Sequence, residues 1–440
     1  MQIVIIGAGA AGLSAAETIR KHDAESEITI VSKEKSLPYS PVALPEYIEG
    51  KMSKEQLLLW NTDFIKKENI NFIQGKVVVH INPHKKEITV DDGSVLSYDK
   101  LLIASGALPT VTEDLRNRKD VLTLRTLEDA EAIRHQIKNR VVIYGAGAVA
   151  TKIAVSLSKR GIDVIILCRS RILRRLFDED ICRLIHDLLI ANGVKIVGVH
   201  EQMRIIGDPV ERLRIGTQEF KCDGIIAALG VTPNTSFLNT QIIRLGTSGG
   251  IIVNEKMETS TADTYAAGDC VETRDIVSGN PCVTALWPPA VEQGKVAALN
   301  MLGINAIYEG TLSQNVIDVF DTPFASIGSL DGEKLGASRH GAIKRFTVKN
   351  GKVTGAQLVG DVDDTGLISS HIKKGIDIKD LDHLKLISSG KTHFNDSSLS
   401  QQSNRKVMVR RGEHMNVHHI LDVGAGEKDE RAEFLNQNPR

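Results

Sequence analysis

The sequence contains few cysteines, and they lack the spacings on which most cysteine chemistry depends. Its 440 residues include five cysteines, at positions 168, 182, 222, 270 and 282. They form no C-x-x-C pair and no zinc-binding pattern, and the histidines of the C-terminal third fit no metal site, so we assign no metal. Unpaired cysteines favour a reducing compartment, and we expect a cytoplasmic protein.

Long apolar runs and an excess of one charge are also missing. No stretch of about 18 apolar residues occurs, so we expect no membrane span. The formal net charge is −1, which leaves no strong field to attract nucleic acid or an anionic membrane. A strand pattern begins at residue 2, so we expect no signal peptide. A chain of 440 residues is too long for one core and is expected to form two or three domains.

The sequence does contain a strand, a glycine loop and a helix that occur twice in the same order. The first copy reads MQIVIIGAGAAGLSAAETIR, with Gly7, Gly9 and Gly12 between strand and helix. In a G-x-G-x-x-G loop the first glycine allows a tight turn, the second lets the backbone approach a pyrophosphate, and the third lets helix and strand pack closely. The helix N-terminus offers free N–H groups to the phosphates. A second strand follows, with Glu34 near its end.

The second copy reads RVVIYGAGAVATKIAVSLSKR and carries Gly145, Gly147 and Ala150, an allowed variant of the loop. Two dinucleotide sites suggest two nucleotides, one held and one exchanged, as in a flavoprotein reductase that holds FAD and exchanges a nicotinamide cofactor. No acid follows the second strand of this copy, and four arginines stand there instead, Arg169, Arg171, Arg174 and Arg175. Guanidinium groups suit the 2′-phosphate of NADPH, although they would also serve as a partner-docking patch or a solvated surface.

Six motifs occur in order along roughly residues 1–385: GAGAAG, LLIASGA, LRTLEDA, GAGAVA, IIAALGVTPN and TYAAGDC. In this order they resemble the pyridine nucleotide–disulfide oxidoreductases, a flavoprotein family with two dinucleotide-binding folds. The resemblance implies an α/β fold like that of glutathione reductase, with two Rossmann-like domains and a small α+β C-terminal interface domain. It also implies FAD as the held cofactor and NAD(H) or NADP(H) as the exchanged one.

The resemblance also predicts how the chain is divided. The FAD-binding domain is expected to be discontinuous, formed by residues 1–112 and 247–318, with a NAD(P)-binding domain at 113–246 between them. Residues 319–386 are expected to form the interface domain, which is usually a dimer contact in this family. The last stretch, residues 387–440, is polar and is expected to be an extended arm rather than a domain.

The resemblance assigns cofactor roles to individual residues. It implies that Glu34 bonds a ribose hydroxyl of the FAD adenosine, that the backbone of Val78 meets the adenine, and that Arg125 lies near the phosphates. Asp269 is expected to accept hydrogen bonds from the ribityl hydroxyls, and Trp287 and the helix after it are expected to lie near the pyrimidine end of the flavin. The other expected cofactor-binding residues are Gly7, Gly9, Ala11, Gly12, Ala104, Ser105, Gly106, Gly145, Gly147, Val149, Arg169, Arg171, Gly230, Gly268 and Pro288.

The redox cysteines of the family have no counterpart in this chain. Disulfide reductases carry a C-x-x-x-x-C pair, which does not occur here. NADH oxidases and coenzyme A disulfide reductases use a single cysteine before a G-L-P-Y-Y-like stretch. The corresponding segment of this chain is LPYSPVALPEYI, with Val42 in the place of that cysteine. Valine cannot form a thiolate, and the C-terminal domain lacks the family's H-P-T…E element. Thiol chemistry is therefore not expected, which favours the branch of rubredoxin and ferredoxin reductases and nitrite-reductase flavin domains.

A charge pair is also predicted from the resemblance. In the ferredoxin reductases a lysine and a glutamate meet beside the reactive nitrogen of the flavin. Here Glu46 stands at the lysine position and Lys152 at the glutamate position, so the two charges are exchanged. We predict a catalytic Glu46–Lys152 ion pair that orients the incoming nicotinamide amide, with two ordinary surface charges as the alternative.

The function that follows is hydride transfer between nicotinamide and FAD, with electrons passed to or from an iron–sulfur or rubredoxin-type protein or a partner subunit. The chain would act as a homodimer or a hetero-oligomer. Three alternatives stay open: an FAD/NAD(H)-binding subunit of a larger redox complex such as an aldehyde oxidoreductase, an NAD(P)H oxidase that reduces oxygen, and a non-enzymatic FAD-containing NAD(P)-sensing protein.

Overall fold

A computed structural model of the protein describes residues 1–116, 118–199, 203–339 and 341–381. The polar extension predicted for residues 387–440 lies outside these ranges. Within them, no helix combines the length and apolar character that crossing a membrane requires.

The first part of the chain, up to residue 109, alternates strands and helices. Its elements are β1 Gln2–Ile6, α1 Ala10–His22, β2 Glu27–Ser32, α2 Leu44–Glu49, α3 Lys54–Leu57, α4 Thr62–Lys67, β3 Ile70–Gln74, β4 Val78–Asn82, β5 Glu87–Val90, β6 Val95–Ser97, β7 Lys100–Ile103 and β8 Ala107–Pro109. The apolar run of β1 is buried from Ile3 to Ile6, as expected of a central parallel strand covered on both faces.

The second part repeats this plan. Its elements are β9 Val121–Leu122, α5 Leu127–Gln136, β10 Arg140–Tyr144, α6 Ala148–Lys159, β11 Asp163–Cys168, α7 Glu179–Ala191, β12 Lys195–Gly198, β13 Met203–Ile206, β14 Arg212–Ile215, β15 Gln218–Lys221, β16 Gly224–Ala227 and β17 Val231–Pro233.

The remaining elements complete the first sheet and form a C-terminal one. They are β18 Ile251–Ile252, β19 Thr264–Ala266, β20 Val271–Arg274, β21 Pro281–Cys282, α8 Trp287–Met301, β22 Gln314–Val319, β23 Thr322–Gly328, β24 Glu333–Arg339, β25 Ala342–Lys349, β26 Lys352–Val359, α9 Thr365–Lys373 and α10 Ile378–Leu381.

Two parallel five-stranded sheets have matching strand orders, β3-β2-β1-β7-β19 and β12-β11-β10-β16-β9. In each sheet the glycine-loop strand is central and pairs in parallel with the strand after its helix and with the closing strand. A three-stranded antiparallel sheet, β4-β5-β6 or β13-β14-β15, precedes the closing strand in each copy. The predicted α/β fold class with two Rossmann-like domains is confirmed.

The two parallel sheets differ in the origin of their edge strand. Strand β19 reaches the first sheet from beyond the whole second sheet, whereas β9 precedes the second sheet in the chain. The two copies are joined where β8 pairs antiparallel with β17. Beside this junction Ser105 Oγ donates to the carbonyl of Asn234 at 2.7 Å, and Asn234 N donates to the carbonyl of Gly106 at 2.9 Å.

The C-terminal sheet is antiparallel, with the order β22-β23-β26-β25-β24. Its first strand begins at Gln314, so the predicted boundary at residue 319 falls inside this strand. The other predicted boundaries stay predictions. The guanidinium of Arg345 docks this sheet on α7 through Asp178 at 3.1 Å and Asp180 at 2.8 Å.

Candidate functional site

The first glycine of each loop is required by the protein itself. Gly7 has a φ of +106°, and a Cβ there would lie 2.2 Å from the carbonyl oxygen of Ala104 on the closing strand. Gly145 has a φ of +132°, and its Cβ would lie 2.1 Å from the carbonyl oxygen of Ala228. Both positions combine left-handed backbone with a close approach of the neighbouring strand, so only glycine fits.

The second glycine of each loop is not required by the protein. Gly9 and Gly147 are the N-caps of α1 and α6, with φ/ψ of −86°/−172° and −88°/−172°. These angles suit any residue, and a Cβ at either position would meet nothing within 4 Å. Neither helix start has a side-chain cap, so its N–H groups face this open space. Each glycine loop and the helix start that follows it form an open cradle. The two cradles therefore fit the pyrophosphates of two dinucleotides.

The third position of the loop differs between the copies. At Gly12 a Cβ would lie 2.1 Å from the carbonyl oxygen of Gly7, so helix and loop are in backbone contact. In the second copy Ala150 occupies this position and is fully buried, so α6 stands far enough from its loop to accept a methyl group.

Helix α8 packs against the first loop and holds the segment that carries Asp269. A Cβ at Gly294 would lie 2.2 Å from the carbonyl oxygen of Ala11, which shows how closely α8 approaches α1. The Oε1 atom of Gln293, a side chain only 2% exposed, accepts a hydrogen bond from Gly268 N at 2.8 Å. Gln293 was not among the predicted site residues, and with Glu292 before it and Lys295 after it, its sequence context carries no signal that it is buried.

Two of the predicted FAD residues, Arg125 and Asp269, lie together. Arg125 Nη2 is 2.5 Å from Asp269 Oδ2 and approaches the turn at Gly106. Trp287 and the exposed Pro288 form the first turn of α8, which begins slightly earlier than the sequence predicted and has no side-chain cap. The positive end of α8 is thus available to a ligand beside Asp269.

Glu34 already has a partner within the protein. The Tyr39 hydroxyl donates to Glu34 Oε2 at 2.6 Å and accepts the N–H of Leu127, at the start of α5, at 2.8 Å. Burial raises the pKa of Glu34, and burial together with the Glu34 carboxylate raises that of Tyr39. The second carboxylate oxygen is not engaged by Tyr39, so the ribose role of Glu34 stays a prediction. Val78 is buried in the core, which leaves only its backbone to face a ligand.

Glu46 and Lys152 are brought together by the packing of α2 against α6. Lys152 Nζ lies 4.0 Å from Glu46 Oε1. The other oxygen of Glu46, Oε2, is buried and has no hydrogen-bond partner among the described residues. The pair borders a cavity of about 110 Å³. The predicted role of the pair, to orient the nicotinamide amide beside the flavin, stays a prediction.

The second nucleotide cradle is open around α6 and the end of β11. Val149, on the first turn of α6, is half exposed, and Gly230 has a φ of +111° at the end of the closing strand. Arg169 Nη2 lies 3.4 Å from the hydroxyl of Tyr144. Arg171 Nη1 donates to Glu179 at 2.8 Å, so a 2′-phosphate would have to compete with this carboxylate.

None of the five cysteines has the environment of a reactive thiolate. Four are buried and Cys282 is half-buried, and all five are free. Burial raises the pKa of each thiol, and for Cys182, Cys222 and Cys270 it does so to about 11. Val42 is 46% exposed, so an apolar side chain is presented at the position aligned with the family's reactive cysteine. Across the described part of the chain, no cluster of histidine, cysteine and carboxylate side chains could hold a metal.

Comparisons with known proteins agree with this geometry. The profile of the family described as pyridine nucleotide-disulphide oxidoreductase matches residues 1–294. An NADH oxidase of Methanocaldococcus jannaschii is 33% identical over 341 residues, 74% of this chain and 76% of the relative. An NADH-rubredoxin oxidoreductase of Clostridium acetobutylicum is 29% identical over 86% of this chain and 94% of the relative.

Two further similarities cover most of the chain. The epsilon subunit of NADH-dependent phenylglyoxylate dehydrogenase of Aromatoleum evansii is 30% identical over 83% of this chain and 87% of the relative. Among solved structures, a NAD-dependent persulfide reductase from A. fulgidus superposes with a TM-score of 0.81 at 27% identity, over 89% of this chain and 80% of that protein.

Proposed function

Because this chain belongs to the pyridine nucleotide–disulphide oxidoreductase family, we propose that it is an FAD-dependent NAD(P)H oxidoreductase whose electron acceptor is an iron–sulfur or rubredoxin-type protein. Family membership makes the chain an oxidoreductase enzyme, with FAD and NAD(P)H as its cofactors. A redox partner is supported by the relative that is named for rubredoxin. The acceptor and the oligomeric state, homodimer or hetero-oligomer, are part of the proposal, as is a reducing compartment that suits five free thiols.

The state of the cysteines is the single observation that carries this choice of acceptor. Reduction of a disulfide or persulfide through the protein requires a thiolate. All five thiols have a raised pKa, none is well exposed, and Val42 stands in the place of the reactive cysteine. Without a thiol relay, electrons must leave the flavin directly, which suits an acceptor that carries its own redox centre.

The chain's own residues bind and orient the cofactors in this proposal. Bound FAD supplies two-electron exchange with nicotinamide and the release of single electrons. The open cradles at Gly9 and Gly147 receive the pyrophosphates of FAD and of the nicotinamide dinucleotide, respectively. Lys152 donates to, and Glu46 accepts from, the nicotinamide amide, which has both a carbonyl and an N–H₂ group.

Stopped-flow absorbance of the flavin tests the proposal. Reduction by NAD(P)H is followed first, and reoxidation is then compared among rubredoxin, a ferredoxin and air-saturated buffer. We expect an iron–sulfur protein or rubredoxin to reoxidise the flavin much faster than oxygen does. Faster reoxidation by oxygen would make the protein an oxidase, and reduction too slow for turnover would make it a NAD(P)-sensing protein. Lys152→Ala is expected to slow reduction about tenfold, whereas Lys349→Ala, at an exposed ion pair of the C-terminal sheet, should not.

A second candidate is a flavin subunit of a larger redox complex. It is favoured by the similarity to the epsilon subunit of A. evansii, which extends over 83% of this chain and 87% of that subunit. Purification of the native protein, with size-exclusion chromatography and mass spectrometry of the co-eluting chains, separates the two candidates. A single-component homodimer contradicts the complex, and a stoichiometric partner that contains a redox centre supports it.

For the nicotinamide cofactor we propose NADPH. Arg169 and Arg171 lie exposed beyond β11, where an acid for the ribose diol is missing. The dissociation constants of NADPH and NADH should separate the possibilities: Arg169→Ala and Arg171→Ala are expected to weaken NADPH binding about tenfold and leave NADH binding unchanged. Arg183→Ala is the matched control, because Arg183 shares the Glu179 partner of Arg171 but lies on α7. Equal affinities in the wild type would contradict this choice.

A further inference from the structure

We propose that the β22–β23 turn, Phe320–Asp321, is a positioning element that keeps Lys152 as the cation facing Glu46. The proposal rests on the role given above to the Glu46–Lys152 pair. It adds the C-terminal sheet to the parts of the chain that build the nicotinamide site.

The cavity beside Glu46 lies where three separate parts of the chain meet. Its walls come from α2 and the residues after it, from one face of α6, and from the β22–β23 turn. Four carboxylates and three ammonium groups line it: Glu46, Glu49, Asp318 and Asp321 with Lys51, Lys152 and Lys159. Lys152 and Lys159 are two turns apart on α6, so they share a helix face and compete for the same carboxylates.

Two of the three lysines already have close partners. Lys159 Nζ lies 2.9 Å from Asp321 Oδ1, and this contact holds the pKa of Asp321 below its usual value. Lys51 Nζ lies 2.8 Å from Glu49 Oε1. Asp321 pairs with Lys159 and Glu49 pairs with Lys51. Lys152 is therefore the lysine of this cavity that pairs with Glu46, at 4.0 Å between Nζ and Oε1.

One residue of the turn adopts a backbone that its type does not favour. Phe320 has a φ of 46° and Asp321 a φ of 67°, and hairpin turns with two successive positive φ angles normally contain glycine, asparagine or aspartate, so the bulky Phe320 is the exception. The Phe320 ring packs against the apolar cluster to which α2 and α6 also contribute. Backbone strain at Phe320, held in place by a core shared with the candidate site, is typical of a functional constraint.

The experiment measures flavin reduction by NAD(P)H in the wild type, in Asp321→Asn, Asp321→Glu and Asp321→Gly, and in Lys152→Ala with and without Asp321→Asn. Asp321→Asn is expected to slow reduction about threefold, the effect typical of an exposed ion pair, and Asp321→Glu to restore it. In the Lys152→Ala background Asp321→Asn should add nothing, since the turn acts through Lys152. Asp321→Gly should slow reduction as much as Asp321→Asn, because it too removes the carboxylate that holds Lys159.

Asp331→Asn is the matched control, because Asp331 forms a 2.8 Å pair with Lys349 in the same sheet, away from the cavity. Competitive acetylation of the lysines, read by mass spectrometry, gives a measure that does not depend on hydride transfer. Asp321→Asn should raise the labelling rate of Lys152 about threefold, because Lys159 is then free to pair with Glu46 in place of Lys152. Asp331→Asn should leave the labelling rate of Lys152 unchanged.

The proposal is overturned if Asp321→Asn matches Asp331→Asn in Lys152 labelling, or if its effect on reduction persists in the Lys152→Ala background. A wild-type flavin that NAD(P)H does not reduce would instead contradict the proposed function, and the labelling experiment would still decide the role of the turn.

Discussion

Gly147→Ala is the perturbation that separates cofactor binding from folding most cleanly. At this position the backbone angles are −88° and −172°, and an added Cβ meets no atom within 4 Å. The protein itself therefore has room for the methyl group. A pyrophosphate seated on the start of α6 does not, because it must approach the same backbone.

The two expected effects differ in size. Alanine at an N-cap lowers the free energy of unfolding by about 0.5–1 kcal/mol relative to glycine. Alanine also lowers the conformational entropy of the unfolded chain, which raises the free energy of unfolding by a similar amount. The net change in stability should therefore be close to zero. Loss of one charge-assisted hydrogen bond to phosphate costs about 2 kcal/mol, which weakens nicotinamide binding about thirtyfold. Gly145→Ala should instead cost about 3 kcal/mol or more of folding stability, because its Cβ would lie 2.1 Å from the Ala228 carbonyl at a φ of +132°.

Calorimetric melting and nicotinamide titration of the flavin-bound protein measure these two effects in parallel. Gly9→Ala is the reciprocal variant: it should release FAD, and its apoprotein should melt at the same temperature as the wild-type apoprotein. The reasoning is refuted if Gly147→Ala leaves the nicotinamide dissociation constant unchanged, or if it lowers the melting temperature as much as Gly145→Ala does.

Three further predictions concern titrating groups. Glu34→Gln should weaken FAD binding about tenfold, measured by fluorescence titration, if the carboxylate binds the ribose. Unchanged FAD affinity would show that the Glu34 carboxylate bonds Tyr39 and does not bind FAD. In a thiol-reagent assay near neutral pH, the native protein should expose only the half-buried Cys282, and NAD(P)H should release no additional thiol; two new thiols would reveal a disulfide relay. Burial alone would raise the pKa of Asp180, but its bonds from Arg345 lower the pKa below the ordinary value. The stability from this pair is therefore present above about pH 4 and lost as the pH falls further, so urea midpoints should drop there, and the drop should be smaller in Asp180→Asn.

The glycine loops and the strands around them were predictable because their signals are local. A strand, three spaced small residues and a helix follow one another directly, so the places of Gly9 and Gly147 at the helix starts could be predicted before any contact was known. The family, the fold class and the two cofactors were predicted correctly for the same reason.

The supporting contacts could not be predicted, because each joins residues that are distant in the chain. Tyr39 meets Leu127, and Arg345 meets Asp178, through packing that leaves no periodic trace in the sequence. Gln293 was missed because its partner is the backbone N–H of Gly268, and a backbone donor 25 residues away leaves no mark in the sequence. The predicted boundary at residue 319 falls inside strand β22, because the extent of that strand is set by its pairing with β23.

The late arrival of β19 has a consequence for synthesis on the ribosome. The five strands of the second parallel sheet all lie between residues 121 and 227. The first sheet lacks its edge strand β19 until residues 264–266 have left the ribosome. The second parallel sheet can thus form on the nascent chain while strand β7 of the first sheet still has an unpaired edge that other polypeptides can join. Translation that stops between these two points yields a polypeptide with one finished Rossmann unit and one that invites aggregation.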